Sequence, residues 1–305
     1  MPALFSLFND DEGRWMKGNT HTHTTCSDGQ LPPQQVADWY RGAGYDFLFL
    51  TEHEEKLANP QALPDFAALS STDFLVLPGL ELRLELPNER VAHLLALGTA
   101  RTGLWRPTWS LSDAAQFALD EGAVPVIDHP YWSGLTYQDI AQVHNAVALE
   151  VFNTTCDVVC AKGFARSYWD HLLTQGLSIH GVAADDAHWG RQVPDYGRGW
   201  IMVKVKEFSQ QGILQALRTG HFYATCGPEF RAVALVGDEV VVETSPVQRI
   251  NFITDNGYSS VEHAVGDQLL TGARRPLSSF RKFLRIECVD KAGHFAWTNA
   301  LVFAE

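Results

Sequence analysis

From Trp15 to about Gly220, short apolar runs alternate with longer amphipathic segments. The runs Phe47 to Leu50, Phe74 to Leu77, Ala123 to Ile127, Val147 to Val151 and Leu177 to Val182 have the length and β-branched or aromatic character of strands. Between them, residues 33–43, 112–121, 137–145 and 162–175 space their apolar positions three and four apart, which predicts helices. Ser112 and Gly122 are plausible caps for the second of these. Strands and helices in this order predict βα units packed on a parallel sheet or barrel.

After Gly220 the pattern changes. Residues 240–244, 249–253 and 283–288 alternate apolar and polar positions, and Asp255-Asn256-Gly257 and Asp290 to Gly293 supply turns between such stretches. We therefore expect a division into residues 1–220, an α/β unit, and residues 221–305, a small antiparallel β domain. A chain of 305 residues with 46% hydrophobic and 19% charged positions has enough apolar material for a large core.

Charge narrows the range of partners. Against 36 acidic residues stand 23 Lys and Arg, a net charge of −13, which disfavours stable binding to nucleic acid. No run approaches the ~20 apolar residues that span a bilayer, and Met1 to Asn9 lacks the layout of a signal peptide. The five cysteines, Cys26, Cys156, Cys160, Cys226 and Cys288, are odd in number and irregularly spaced, and are expected as reduced thiols in a cytoplasmic protein. Oligomeric state is not legible.

The candidate chemistry lies at the ends of the apolar runs. His21-Thr22-His23 follows the strand candidate Trp15 to Asn19, and in extended backbone both imidazoles share one face. Thr51-Glu52-His53, Gly79-Leu80-Glu81, Asp128-His129-Pro130 and Asp185-Asp186-Ala187-His188 each follow another run. Carboxyl ends of barrel strands converge on one mouth, so these distant residues would meet there. By the same two-residue period Asp186 and His188 point together and Asp185 points away, leaving Asp185 to orient a ligand. Histidine and carboxylate without thiolate suit Zn, Mn or Fe. Glu150 and Asn153 could support the ligands or simply fill the interior.

In order along the chain, His21-Thr22-His23 with Ser27-Asp28-Gly29, Thr51-Glu52-His53, Gly79-Leu80-Glu81, Ala92-His93, His129-Pro130 and Asp186-Ala187-His188 resemble the motifs of the PHP (polymerase and histidinol phosphatase) family over residues 15–220. The resemblance implies a distorted TIM-like (β/α)7 barrel with two or three divalent metal ions. It implies that His21, His23, Glu81 and Asp186 surround one ion, Glu81, His93 and His129 a second, and Asp28, His53 and His188 a third. Glu52 departs from the pattern, many members having Asp there. The stretches His221 to Thr225 and Ala296 to Asn299 resemble a β-rich extension found in some members.

A water made acidic between such ions would attack phosphorus or a carbonyl; the resemblance implies hydrolysis of a small phosphorylated molecule, with Glu81, Asp186 and His188 as the expected catalytic residues. Lys56, Arg83, Arg166 and Arg191 are candidates for binding the phosphate. Two other functions remain open: hydrolysis of a carboxylic ester, amide or carbamate by the same chemistry, and a non-catalytic scaffold.

Overall fold

The computed structural model describes residues 7–8, 13–59, 62–103 and 106–303. Its first strands are β1 (Arg14–Asn19), β2 (Phe47–His53) and β3 (Leu75–Leu86), which run parallel to one another. β2 is buried along its whole length, as expected of a strand flanked on both edges and covered on both faces, and this accounts for its unbroken apolar sequence. Packing beside it is tight at Gly18, where a Cβ would come within 2.1 Å of the Phe47 ring.

β3 then doubles back into β4 (Arg90–Leu97), and β4 pairs antiparallel with β5 (Val124–Ile127). This meander replaces the helical crossover of a regular βα unit. Parallel pairing resumes with β6 (Ala148–Asn153) and β7 (His180–Ala184). The chain just past β7 returns to the chain just past β1 through a parallel bridge between Thr22 and Ala187, with Asp186 N–H donating to His21 O at 2.9 Å and His23 N–H to Ala187 O at 3.0 Å. The ends of the first and last parallel strands are thereby joined.

Six helices accompany these strands among the described residues: α1 (Pro33–Gly42), α2 (Leu111–Asp120), α3 (Tyr137–Ala141), α4 (Thr154–Cys160), α5 (Arg166–Thr174) and α6 (Gln210–Thr219). The predicted cap of α2 is corrected: Ser110, not Ser112, caps it, its hydroxyl accepting from Asp113 N–H while Asp113 accepts in return. Gly122 follows that helix with φ of +72°, the left-handed conformation glycine adopts readily. The segment 162–175 is helical only from Arg166, because Phe164 bridges to Phe152 first.

The sheet continues without interruption past Gly220. β8 (Trp200–Val205) pairs antiparallel with β1, and β9 (Phe222–Thr225) with β8. Of the remaining strands, β10 (Phe230–Val236), β11 (Glu239–Val247) and β14 (Leu270–Pro276) form a separate three-stranded antiparallel sheet. β12 (Arg249–Ile253), β13 (Ser260–His263), β15 (Phe283–Val289) and β16 (Phe295–Thr298) extend the main sheet in the order β9, β16, β15, β12, β13, and β17 (Leu301–Val302) pairs with β15. The fold is thus mixed α/β with a parallel portion and an antiparallel, β-rich portion. No described helix is long and apolar enough to cross a membrane, and all five cysteines are free.

The two portions share a core. Phe222, Phe283 and Trp297 pack into the same apolar cluster as Phe49 and Leu149. The guanidinium of Arg285, 2% exposed, binds Asp170 of α5 through Nε at 2.6 Å and Nη2 at 2.9 Å. Arg166 reaches Glu287 at 3.2 Å, and Trp297 Nε1 donates to the same carboxylate at 2.8 Å.

Candidate metal centre

Each strand delivers its side chain by a different local route. His53 closes β2 directly opposite Glu81 of β3, and His93 lies in β4 opposite Arg83. His129 follows β5, and Asp186 and His188 follow β7. Asp186 has φ of +57°. Past Ala184 the backbone is therefore no longer extended, and a left-handed residue, not the two-residue period, turns this carboxylate inward. Left-handed conformations are uncommon outside glycine and are tolerated by Asp. Asp28 is carried on a tight loop in which a Cβ at Gly29 would sit 2.6 Å from the His23 carbonyl.

The nine residues named from the motifs come together in overlapping groups, each with its ligand-type atoms within 4.8 Å of one another. In the first, His21 Nε2 and His23 Nε2 stand 3.1 Å apart, each faces Glu81 Oε2 at 3.2 and 3.1 Å, and Asp186 Oδ1 lies 3.3 and 3.1 Å from them. In the second, Glu81 turns its other oxygen, Oε1, to His93 Nδ1 and, at 3.4 Å, to His129 Nε2. In the third, Asp28 lies 3.5 Å from His188 and 3.8 Å from both His53 and His23. All but Asp28 and His188 are buried.

Supporting contacts orient the imidazoles. His21 Nδ1 faces Glu150 Oε1 at 2.9 Å, and Glu150 Oε2 accepts from His129 N–H at 3.1 Å and from Asn153 Nδ2 at 2.8 Å. Glu150 and Asn153 thus contact the ligand-type residues directly. Glu52 accepts from Thr24 N–H, Thr24 Oγ1 and Ser27 Oγ, so the carboxylate that departs from the family pattern ties down the loop bearing Asp28. Asp185 points the opposite way, to Tyr40 and the N–H groups of Gly197, Arg198 and Gly199.

Burial opposes charge throughout the cluster, but its carboxylates prevail at three histidines. Burial lowers the pKa of His21, yet Asp128, Asp186, Glu150 and Glu81 together hold it well above the usual imidazole value. His23 is raised to about 10, because its hydrogen bonds to Asp186 and Glu81 outweigh burial, and His129 is raised by Asp128 and Glu81 against the same opposition. His53, where burial dominates, falls to about 2. Glu81 and Asp186, though buried, are held well below the carboxylate range by the surrounding histidines.

Of the four basic candidates, Lys56 and Arg191 lie beside the cluster. Lys56 Nζ is 2.7 Å from Asp28 Oδ2. Arg191 lines a cavity of about 480 Å³ with Asp28, His188, Gln30, Val159 and Val193. Arg83 pairs with Glu85, and Arg166 is engaged by Glu287. Beside the second group, Trp132 is 42% exposed and packs 4.7 Å from the His129 ring.

Two acidic residues at the site escape sequence reasoning. Asp195, fully buried, accepts from the N–H groups of His188 and Trp189 and from Arg191 Nε. It sits in irregular chain with no motif around it. Asp128 adjoins His129, and adjacency alone does not say which of the two faces inward.

The residues present fit divalent ions. His23 Nδ1, His53 Nδ1 and both Asp128 oxygens are buried without a hydrogen-bond partner. Two imidazole nitrogens directed at one another and at two carboxylates form a donor set that a cation reconciles.

Comparison with solved structures extends the PHP resemblance from motifs to fold. A two-domain protein from Bacteroides vulgatus containing a predicted PHP-like metal-dependent phosphoesterase is similar over 95% of this chain and 96% of its own, with a TM-score of 0.54 and 17% identity. PsfC from Pseudomonas syringae is similar over 68% of this chain and 95% of its own, with a TM-score of 0.43 and 18% identity. An amidohydrolase from Chromobacterium violaceum is similar over 59% and 90%, with a TM-score of 0.43 and 15% identity. The last two are too distant in shape to carry an argument. No family model and no curated protein matches the sequence.

Proposed function

We propose that the chain is a metal-dependent hydrolase that cleaves a small phosphorylated molecule. The observation that carries this reading is the sharing of Glu81, whose two oxygens belong to two groups of histidines and carboxylates. His21, His23, Glu81 and Asp186 would hold one ion, Glu81, His93 and His129 a second, and Asp28, His53 and His188 a third, the metals being Zn, Mn or Fe. Bound there, the ions would supply an activated water and neutralise charge on the oxygen under attack. We read residues 1–220 as a distorted seven-stranded barrel carrying this site, and residues 221–305 as a β-rich domain that buttresses it.

The protein's own groups do the positioning. Glu150 fixes the ring plane of His21 through Nδ1, leaving Nε2 for the site. Asp195 sets the backbone after β7 and directs the Arg191 guanidinium beside His188. Lys56 and Arg191 supply positive charge at the rim of a chain that is acidic overall, which favours phosphate over a neutral ester. In this reading Glu81, Asp186 and His188 stand nearest the reacting atoms.

Turnover by wild type and by His23→Ala, Glu81→Ala and His188→Ala against a panel of phosphomonoesters and phosphodiesters tests the proposal. Phosphate release lost in all three supports it, and wild-type turnover in all three removes it. Cleavage of carboxylic or carbamic esters alone would transfer the same site to the other hydrolase reading.

A further inference from the structure

We propose that Asp128 is a fourth protein ligand of the second ion, closing a site that would otherwise be held by Glu81, His93 and His129 alone. The inference rests on the reading of the cluster as a metal centre and adds to it a ligand that the motifs do not supply.

Asp128 is completely buried, and neither carboxylate oxygen accepts a well-directed hydrogen bond, its nearest charged neighbours being the histidines of the cluster itself. A buried carboxylate in that condition is costly unless a cation compensates it. Its neighbours show where such a cation would sit. Asp128 Oδ2 is 3.1 Å from His129 Nε2, which in turn is 3.3 Å from His93 Nδ1 and 3.4 Å from Glu81 Oε1. Four ligands about 2.1 Å from a tetrahedral ion stand about 3.4 Å from one another; these three separations match that edge, and the ligand-type atoms of Glu81, His93, Asp128 and His129 all lie within 4.8 Å of one another.

The other role open to a carboxylate here is to orient a histidine, which requires it to face the ring nitrogen that does not bind metal. Asp128 Oδ1 does approach one such nitrogen, His21 Nδ1, but at 3.4 Å, and closer partners occupy these positions. His129 Nδ1 is 3.2 Å from Ser133 Oγ, and His21 Nδ1 is 2.9 Å from Glu150 Oε1. Asp128 faces His129 Nε2, the nitrogen turned to the cluster. Backbone geometry holds the set in place, because β4 and β5 pair antiparallel and Asp128 N–H donates to His93 O at 3.3 Å.

The test compares wild type and Asp128→Asn, each stripped with chelator and reloaded with Mn²⁺ or Zn²⁺, by metal analysis and by titration of binding. Changes in outer partners of metal ligands alone cost about 10–100-fold in affinity. Asp128→Asn should therefore weaken one class of ion by at least that factor and leave the others in place. Equal stoichiometry and equal affinity in the folded variant overturn the proposal. Anomalous scattering from crystals of the metal-loaded wild type decides independently of how the variant folds. An ion bonded to Glu81, His93, His129 and Asp128 supports the proposal, and the same ion with Asp128 out of bonding range defeats it. A wild-type chain that binds no ion defeats the metal reading itself, a result distinct from either.

Discussion

Loading the site with metal should release protons, and the release should govern how affinity depends on pH. Metal-bound imidazole must be neutral, but in the metal-free protein His23 keeps its proton up to about pH 10. At pH 7 that is about 3 pKa units, or about 4 kcal/mol, to be given up before His23 Nε2 can bind a cation. His21 and His129 are raised as well and add to the release. Apparent affinity should thus climb about tenfold per pH unit for each proton displaced, as pH rises towards 10.

Stability should depend on pH in the metal-free form and much less in the loaded one. A histidine whose folded pKa exceeds its unfolded value contributes stability that is complete below about pH 6.5 and lost as pH rises through the folded value. The chelated protein should therefore lose stability from pH 6.5 towards 10, while in the loaded protein, whose metal-bound imidazoles carry no proton to give up, tighter binding offsets that loss and stability stays nearly level. His53, lowered to about 2, acts in a different window, withdrawing stability as pH falls below about 6.5. Calorimetric titration in buffers of different ionisation enthalpy counts the protons, and thermal melts with and without chelator follow stability. Binding without proton release, at an affinity indifferent to pH, would refute the reasoning.

Further consequences can be checked with single variants. Asp195→Ala strands the N–H groups of His188 and Trp189, and each buried donor left unpaired costs about 1–3 kcal/mol, so denaturant melts should show that loss and kcat should fall with it. Arg285→Met leaves Asp170 and Glu287 without their shared guanidinium and should cost about 3–5 kcal/mol by urea unfolding, whereas Asp38→Ala, whose ion pair with Arg41 is exposed, should cost less than about 1 kcal/mol. Gly18→Ala should destabilise strongly, because its Cβ would collide with the Phe47 ring; unchanged thermal stability would contradict the register of β1 on β2.

The parallel part of the fold was legible because its strands are buried on both faces and so read as apolar runs: Phe47 to Leu50 and Ala123 to Ile127 coincide with β2 and β5 within a residue or at their start. β4 was not. The turn before it places Asn88 and Glu89 at φ of +61° and +59°, a hairpin conformation usually announced by glycine, and without that signal the strand bearing His93 had no visible beginning. The distinction between Asp185 and Asp186 was drawn from alternation, but a left-handed residue performs it. Lys56 and Arg166 show why charge near a motif says little: one side chain extends to Asp28, the other to Glu287 across 121 positions of sequence. Which groups a carboxylate meets depends on packing that no local pattern records, and the roles of Asp128 and Asp195 came to light only with the fold.

The central claim is that this cluster binds divalent cations and that hydrolysis depends on them. Metal analysis of the purified protein, with phosphoester hydrolysis measured before chelation, after it and after reloading, tests it most directly. The account predicts more than one Zn, Mn or Fe ion per chain, with activity lost when they are removed and recovered when they return. A folded chain that takes up no divalent ion, or that hydrolyses phosphoesters at an undiminished rate without one, would contradict it.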